Sequence, residues 1–349
     1  MRNLPILSSF SIIAIILAHA NWHVLSVFTN GDIAGMPFVF LDQLCKFSVS
    51  AFVFIGGYFA AYAANTTNPN VIWKVIIERI KNMLWPWIIW SIAMTVFLSY
   101  KGSQINLENL IRNLFIQYYF APLLITFTLL APFMISWAKT NTRNFIIGSL
   151  LIEILGVVLF YIRTYDPNLM GSFSPIIDLG PFVYVRYTLF FSLGLIYGLY
   201  PQRTKEKIER FKGFFPFLII FTLGLSIVET TIAFSIGGSV WPIGGDSTKF
   251  SSVLYALFFI LWFICLNRLS LPYQQIFYKI GNKTYGIYLS HYIVIGILNR
   301  LLRMVLPWKD FWGIVSVLLQ VVFTVVIVIG FMNLISKLPT RRIYKYIFS

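Results

Sequence analysis

The sequence contains three histidines, and two of them lie inside an apolar stretch long enough to cross a bilayer. His19 and His23 stand one helical turn apart in residues 4–27, and His291 is the third. Ionisable side chains are costly inside a membrane and usually have a functional role there. A histidine can act as a general base toward a hydroxyl near neutral pH. His19 is therefore the first candidate for a catalytic residue.

Further ionisable residues fall within predicted apolar spans: Asp42, Lys46, Arg186 and Glu229. A rise of 1.5 Å per residue places them in the outer half of the membrane, and His19 about 12 Å from the outer end of its span. Asp42 and Lys46 are four residues apart and can pair on one helical face. The group predicts a polar cavity that opens outward and suits a hydroxyl-rich acceptor, with Lys46 and Arg186 as acceptor-binding or charge-stabilising groups. The alternative is a self-satisfied Asp–Lys pair beside two residues that snorkel to the interface.

The remaining histidines and the two cysteines have less defined roles. His291 is predicted about 10 Å from the cytoplasmic face, as a functional or a structural residue. His23 is predicted at the membrane interface. Cys45 and Cys265 lie in apolar surroundings and are predicted to be packing residues.

Several common catalytic motifs are absent from the sequence. It has no nucleophile elbow, no P-loop, no HExxH and no paired zinc ligands, so no metal site is predicted. These absences argue against a soluble-type hydrolase or ATPase. They leave a transporter open, because transporters need none of these motifs.

The elements that must position these residues are membrane helices. Hydrophobic residues make up 58% of the chain and charged residues 11%, a composition typical of a polytopic membrane protein. The chain is predicted to form one all-α transmembrane domain over residues 1–349. Residues 71–85 read as an amphipathic helix in the interface plane. About ten spans are predicted, at residues 4–27, 37–63, 85–100, 114–138, 144–162, 181–200, 213–235, 250–267, 284–306 and 311–336.

The charge distribution predicts the orientation of these spans. Well over half of the 27 lysines and arginines lie on the side of the two termini, which the positive-inside rule assigns to the cytoplasm. The net charge of +15 is therefore attributed to topology, and nucleic-acid binding is rejected. Arg2, the apolar core and Ala18-His-Ala20 also resemble a cleavable signal peptide, but an uncleaved first span explains the charge asymmetry better.

Five dispersed motifs resemble the membrane acyltransferase-3 family, whose members O-acylate polysaccharides and other surface glycans. The first motif places His19 where the family has its catalytic histidine. Ser8 stands where the family usually has an arginine. Tyr288 and His291 of the last motif are further candidate site residues. The five motifs are SFSIIAIILAHANW (9–22), FVFIGGYF (52–59), RIKNMLWP (79–86), FFSLGLIYG (190–198) and IGNKTYGIYLSH (280–291).

The resemblance implies a reaction and its partners. An acyl-CoA donor such as acetyl-CoA would approach from the cytoplasm as co-substrate, with Arg79 and Lys81 holding its phosphates. No permanently bound cofactor is implied. The acceptor would be a polysaccharide or lipid-linked glycan on the outer side, and the protein would reside in the inner or plasma membrane among lipids and other glycan-assembly proteins.

Three functions remain open from the sequence. The first is a membrane O-acyltransferase, in particular an O-acetyltransferase. The second is a transporter or flippase of lipid-linked sugars that uses the polar cluster as its binding site. The third is a non-catalytic member of a glycan-assembly complex.

Overall fold

The computed structural model describes residues 3–25, 35–65, 69–100, 102–165, 182–237, 245–266, 272–305, 310–337 and 343–348. Within these ranges the regular structure is helical, with no strand. Sixteen α-helices are labelled in chain order: α1 Leu4–Leu25, α2 Met36–Leu44, α3 Phe47–Ala60, α4 Pro69–Ser99, α5 Leu107–Arg112, α6 Phe120–Thr140, α7 Thr142–Tyr165, α8 Phe182–Val185, α9 Thr188–Leu199, α10 Pro201–Glu209, α11 Phe215–Gly237, α12 Phe250–Cys265, α13 Gln274–Gly281, α14 Thr284–Arg303, α15 Asp310–Lys337 and α16 Tyr344–Ile347. A 3₁₀ turn at Ala61–Asn65 follows α3, and a π-helical turn at Asn113–Gln117 follows α5.

Among the described residues, seven helical segments are long and apolar enough to cross a membrane. They belong to α1, to α2 with α3, and to α4, α6, α7, α11 and α15. Two shorter apolar helices, α9 and α12, lie among them. The protein is therefore a multi-pass helical membrane protein, as the composition predicts.

The two sides of the bundle are identified by their residues. The start of α1 lies against α13, because a Cβ on Gly281 would stand 2.0 Å from the carbonyl oxygen of Pro5. Near the other end of the chain, Phe348 lies beside Gly286 in the first turn of α14. This side is called the terminal face, and the opposite side the far face.

The second predicted span is interrupted at Cys45 and Lys46. Their amides bond to the carbonyls of Asp42 and Gln43, three residues back, so the α-helical pattern stops between α2 and α3. The interruption releases the carbonyl of Leu44, which accepts a hydrogen bond from Tyr255 Oη of α12 at 3.0 Å. Such a break is tolerated at membrane depth because neighbouring helices satisfy the freed backbone groups.

The sixth predicted span is interrupted in the same way at Arg186 and Tyr187, between α8 and α9. The first turn of α9 receives a cap from another helix: Glu153 Oε2 of α7 accepts the backbone N–H of Leu189 at 2.7 Å. A carboxylate at a helix N-terminus satisfies a free amide and complements the helix dipole. Glu153, for which the sequence indicates no partner, therefore positions α9.

The third predicted span and the interfacial helix predicted before it differ from the prediction. Residues 71–85 do not form a separate interfacial helix, because α4 continues through Pro86 for 31 residues, from Pro69 to Ser99. Proline removes one intrahelical hydrogen bond, and membrane helices tolerate it where neighbours supply donors. The carbonyl that loses its donor is that of Asn82, four residues before Pro86. The adjacent carbonyl of Met83 accepts a hydrogen bond from Tyr285 Oη of α14 at 2.7 Å, which ties this turn of α4 to α14. The predicted boundary at residue 85 is therefore wrong.

Helices α3 and α9 cross in backbone contact at glycines. A Cβ on Gly57 would lie 2.1 Å from the carbonyl oxygen of Phe191, and one on Gly194 would lie 1.9 Å from that of Phe54. Small residues allow such close approach between membrane helices. The glycine motifs of residues 52–59 and 190–198 thus have a packing role, and they fix α3 beside the candidate site.

Candidate functional site

Two histidines meet in the middle of the bundle. The ring centroids of His19 in α1 and His291 in α14 are 5.2 Å apart, and Tyr292 contacts His19 edge-on at 5.4 Å. The prediction that His291 lies at a different depth from His19 is wrong. Each depth was counted from the end of its own helix, but α14 begins only after α13, which packs against the first turns of α1. Ser9 Oγ of α1 donates to the carbonyl of Phe277 in α13 and helps to fix this register.

The hydrogen bonds of His291 define its tautomer. Its Nδ1 is bonded to the carbonyl oxygen of Tyr288, one turn earlier in α14. A carbonyl can only accept, so Nδ1 carries the proton and Nε2 of the neutral ring carries a lone pair. Nε2 is buried and has no hydrogen-bond partner among the described residues. His291 is thus oriented by its own helix and presents a free basic nitrogen.

His19 is the more accessible member of this histidine pair. It is partly buried, whereas His291 is buried. His19 lies within electrostatic reach of Lys46, which belongs to the break between α2 and α3, and of His23 one turn further along α1. His23 is also partly exposed.

A cavity of about 300 Å³ lies on the terminal-face side of the bundle, between the start of α1, α3, α4 and α14. Its walls are mostly apolar, and Arg79 of α4 is the one cation among its described lining residues. Ser8 and Asn82 also line it. Tyr288 lines it as well, and the ring centroid of Tyr288 is 5.7 Å from that of His291. The cavity therefore lies among the start of α1, α4 and α14, and Tyr288 stands between its lining and His291.

The two predicted donor-binding residues have different positions. Arg79 lines the cavity and donates from Nη2 to the carbonyl of Gly56 at 3.2 Å. Lys81 is exposed, lies 3.7 Å from Glu78 on the outside of α4, and does not line the cavity. The structure thus brings Arg79, and not Lys81, to the space beside the histidines.

The predicted polar cluster is present on the far face. Lys46 Nζ lies 2.8 Å from the carboxylate of Asp42 and donates to the carbonyl of Gly245 at 2.7 Å. Both side chains of the pair are buried. The predicted ion pair therefore forms, and it holds the segment before α12 against the break between α2 and α3.

Arg186 has an unexpected partner in that same segment. Its Nη1 lies 3.0 Å from Oδ2 of Asp246, and it also donates to Thr248 Oγ1. Burial would raise the pKa of Asp246, but the Arg186 guanidinium and the hydrogen bonds from Thr248 outweigh burial and hold this pKa below its ordinary value. The pair closes the break between α8 and α9.

Glu229 and Lys249 complete the cluster. Glu229 accepts from the backbone amide of Ser251 at 3.2 Å and from Tyr161 Oη. Lys249 is fully buried and donates to the hydroxyls of Ser226 at 2.7 Å and Ser252 at 3.0 Å. It also donates to Gln43 Oε1. Burial and, second to it, the nearby charge of Lys46 outweigh the carboxylates around Lys249 and together lower its pKa to about 7.

Sequence reasoning missed three members of this cluster: Gln43, Asp246 and Lys249. Gln43 is uncharged and adjoins Asp42, so nothing marked it as a ligand of Lys249. Lys249 directly precedes an apolar span and resembles an ordinary loop cation. Asp246 carried one usable signal, because Arg186 inside a predicted span required an acidic partner that its own helix does not provide.

No group of three histidine, cysteine, aspartate or glutamate side chains suited to a metal occurs in the described part of the chain. Both cysteines are free and buried. The chemistry available here is therefore acid–base and electrostatic: a histidine pair, a cavity from the terminal face and a charged cluster on the far face. These features define a multi-pass membrane protein with a histidine pair and a charged cluster inside its helical bundle.

Comparison with known proteins identifies the family. The profile described as "Acyltransferase domain", of the acyltransferase-3 type, matches residues 6–335. The chain therefore belongs to the acyltransferase-3 family. Searches of curated proteins and of solved structures each returned no match.

Proposed function

We propose that this acyltransferase moves an acyl group, in particular an acetyl group, from acyl-CoA to a hydroxyl of an exported or lipid-linked surface glycan. One observation carries the proposal most directly. Tyr288 lines the terminal-face cavity, and its ring lies beside that of the buried His291, which contacts His19. A donor that enters there brings its reactive end to the histidines.

We infer that ten successive segments cross the cell membrane and that the terminal face is cytoplasmic. Seven of the predicted spans overlap described helices that are long and apolar enough to cross a membrane, and helices α8–α9, α12 and α14 overlap the other three. An even number of spans fits the positive charge near both termini. Acyl-CoA is made in the cytoplasm and would meet the cavity directly, without crossing the bilayer.

The donor would bind with its thioester end inward. The narrow, mostly apolar arm of CoA suits the apolar walls of the cavity, and Arg79 supplies a fixed cation near the entrance for phosphate oxygens. Ser8 and Asn82 line the same space and offer neutral hydrogen bonds. Lys81 lies outside this cavity and would act only as a surface cation.

The reaction follows from the acid–base groups. His19 takes the proton of the acceptor hydroxyl as its oxygen attacks the thioester carbonyl carbon. The carbon–sulfur bond then breaks, and the departing CoA sulfur takes the proton from His19. Lys46 is within electrostatic reach of His19 and would favour the negative charge that develops on the carbonyl oxygen through its field alone, since its ammonium stays bonded to Asp42 and Gly245. Arg186, Asp42 and Glu229 would keep this region polar and ordered.

Substitution of His19 tests the proposal. We expect His19→Gln to lower acetyl transfer by about 10²–10⁴-fold, because general-base catalysis contributes this much. His23→Gln, one turn away in the same helix, is the matched control and should stay near wild type. Acetylation of the surface glycan is measured by NMR in cells that lack the native gene, with membrane protein levels compared. Full acetylation by a normally expressed His19→Gln variant would overturn the proposal.

A transporter or flippase of lipid-linked sugars is the second candidate. The observation that favours it is the pair of interrupted helices with buried charges at both breaks, an arrangement common in transporters. Purified protein in liposomes separates the two functions. Release of CoA from acetyl-CoA that depends on an acceptor glycan supports the enzyme. Movement of a fluorescent sugar-lipid without acyl-CoA supports the transporter. If the protein shows neither activity, a non-catalytic role in glycan assembly remains.

A further inference from the structure

A second cavity, of about 200 Å³, opens on the far face between α4 and the segment 103–117. Unlike the terminal-face cavity, it is lined mainly by polar side chains. Four are carboxamides, on Gln104, Asn109, Asn113 and Gln117, and Arg112 is its one cation. No carboxylate is among its described lining residues. At about 30 Å³ per molecule of liquid water, the volume equals roughly seven waters, which suits one sugar ring.

The floor of this cavity is a fixed polar group. Asn113 is only 5% exposed, and its Nδ2 donates to Thr95 Oγ1 of α4 at 2.9 Å. Thr95 in turn donates to the carbonyl of Ser91. The rim is also ordered, because Asn109 Nδ2 donates to the carbonyl of Gln104 at 2.7 Å. Two of the four carboxamides, those of Asn109 and Asn113, are therefore held in place before any ligand arrives.

The π-helical turn connects this floor to the catalytic centre. The amide of Tyr118 bonds to the carbonyl of Asn113 at 3.0 Å, which gives the wide turn often found at functional sites. Tyr118 directly follows Gln117, and its Oη donates to the carbonyl of Leu289 at 2.9 Å. Leu289 is two residues before His291 in α14. The same short segment thus supplies the floor of the far-face cavity and a support of the histidine helix.

The charged cluster is a weaker candidate for acceptor binding. Lys46 is occupied by Asp42, and Arg186 by Asp246, so a ligand would have to break a buried ion pair to bind there. In the far-face cavity, the carboxamides offer both donors and acceptors, as do sugar hydroxyls. The absence of a carboxylate from its lining disfavours a cationic ligand.

We propose that the cavity formed by Gln104, Asn109, Arg112, Asn113 and Gln117 binds one sugar residue of the acceptor glycan and directs its hydroxyl toward the histidine pair. The sugar is neutral or carries a negative group that Arg112 can bind. This inference rests on the proposed acyltransferase function, since the occupant is the acceptor of that reaction. It places the acceptor in the far-face cavity instead of the charged cluster.

Steady-state kinetics provide the first test. The probe is a set of fragments of the surface glycan, prepared from cells that lack the native gene and therefore not acylated by this protein. We expect Arg112→Gln and Gln117→Ala to raise the KM for the fragments by about tenfold each, the effect of losing a hydrogen bond to a charged or polar partner. The KM for acetyl-CoA should not change. Gln202→Ala, an exposed carboxamide in α10, is the control and should leave both values unchanged.

Cysteine protection provides a second test that does not depend on turnover. Both native cysteines are buried, so Gln117→Cys gives a single accessible thiol for a membrane-impermeant maleimide. We expect labelling in intact cells and in purified protein, and slower labelling when the glycan fragments are added. Acetyl-CoA alone should give no protection.

The outcomes are distinct. An unchanged acceptor KM in both variants, or labelling that the fragments do not slow, overturns the acceptor site. Equal changes in the KM for both substrates also overturn it, because that indicates general damage. If the fragments protect Gln117→Cys but the wild type never releases CoA from acetyl-CoA, the sugar site stands and the acyltransferase proposal fails.

Discussion

At the residue scale, the central feature is a histidine whose tautomer is set by its own helix. Because the carbonyl of Tyr288 accepts from Nδ1, the buried Nε2 of His291 is directed away from its backbone and has no partner among the described residues. An unsatisfied buried nitrogen destabilises the fold, so its retention suggests a ligand or a proton. His291 is well placed to assist His19.

Substitution of His291 tests this assistance. His291→Asn keeps an N–H near the position of Nδ1, which can still bond to the carbonyl of Tyr288, but it removes the basic Nε2. We expect normal expression and melting temperature, with transfer lowered by about 10–100-fold, somewhat less than the usual effect of a general base. His291→Gln places a polar group near Nε2 and loses the Nδ1 bond, so it should lose stability as well. Wild-type activity in a stable His291→Asn variant would assign His291 a structural role.

Lys249 leads to a second prediction at this scale, which concerns how the stability of the protein depends on pH. Its buried ammonium faces the charges of Lys46, Glu229, Asp42 and Asp246. Burial lowers its pKa to about 7 in the folded protein, whereas the unfolded chain binds the proton up to about pH 10.4. Between these values the unfolded state binds more protons, so this group makes stability rise with pH. Below about pH 7 both states are protonated, and the cost of burying the charge is complete.

The measurement is the melting temperature of the detergent-solubilised protein at about pH 7 and about pH 9.5. Wild type should gain stability toward the higher pH from Lys249, and Lys249→Met should lose that gain. Lys279→Met, which removes an exposed lysine of α13, should keep it. An identical pH slope in wild type and Lys249→Met would show that Lys249 does not titrate in this range.

At the scale of elements, the close crossing of α3 and α9 fixes one wall of the terminal-face cavity. Gly57→Ala would force a Cβ to within 2.1 Å of a backbone carbonyl, which neither helix can avoid without moving. We expect a loss of about 1–3 kcal/mol, the range for overpacked sites, seen as a lower melting temperature. Gly224→Ala in α11 is the matched control, since a Cβ there meets nothing within 4 Å. It should be neutral or gain up to about 1 kcal/mol. Equal melting temperatures for the two variants would contradict the crossing.

Helix positions could be predicted from sequence because a bilayer requires long apolar runs, which hydropathy detects. The breaks at Cys45–Lys46 and Arg186–Tyr187 could not, because they depend on distant residues. Lys46 is held by Gly245, and Arg186 by Asp246, from a segment far along the chain. The continuity of α4 was missed for a similar reason, since this turn of α4 is held by a distant helix, whose Tyr285 donates to the carbonyl of Met83.

The candidate site was predictable in part. His19 stood out because an ionisable residue in an apolar span is rare, and the pairing of Asp42 with Lys46 follows from helical spacing. The contact of His19 with His291 depends on the relative register of α1 and α14, which only tertiary packing sets. Local periodicity carries no information on that register.

At the scale of the whole molecule, two cavities lie at opposite faces, and the described lining of neither includes His19 or His291. An aromatic layer separates them: the ring of Tyr288 lies 6.2 Å from that of Tyr118 and 5.2 Å from that of Phe120. The terminal-face cavity is mostly apolar with one arginine, and the far-face cavity is mostly polar. The asymmetry suits a donor and an acceptor that never share a compartment, so that the acyl group alone crosses the layer.

The last prediction concerns this sidedness. CoA is highly charged and does not cross lipid, so in sealed vesicles it reaches only one face. We expect acetyl-CoA added outside to support glycan acetylation in inside-out vesicles, where the terminal face is exposed, and not in right-side-out vesicles of the same membranes. Permeabilisation should restore the reaction in the second preparation. Vesicles that carry the His19→Gln variant give the background level of glycan acetylation in both preparations.

Equal rates in the two sealed preparations would contradict the assignment of the donor to the terminal face. Activity in right-side-out vesicles alone would reverse it, and with it the roles of the two cavities. The reversed result would leave the histidine pair between the cavities but would require Arg112, and not Arg79, to bind the phosphates of the donor. The same vesicles made with Arg79→Gln and Arg112→Gln proteins distinguish these cases, because only the cation that holds the donor changes the KM for acetyl-CoA.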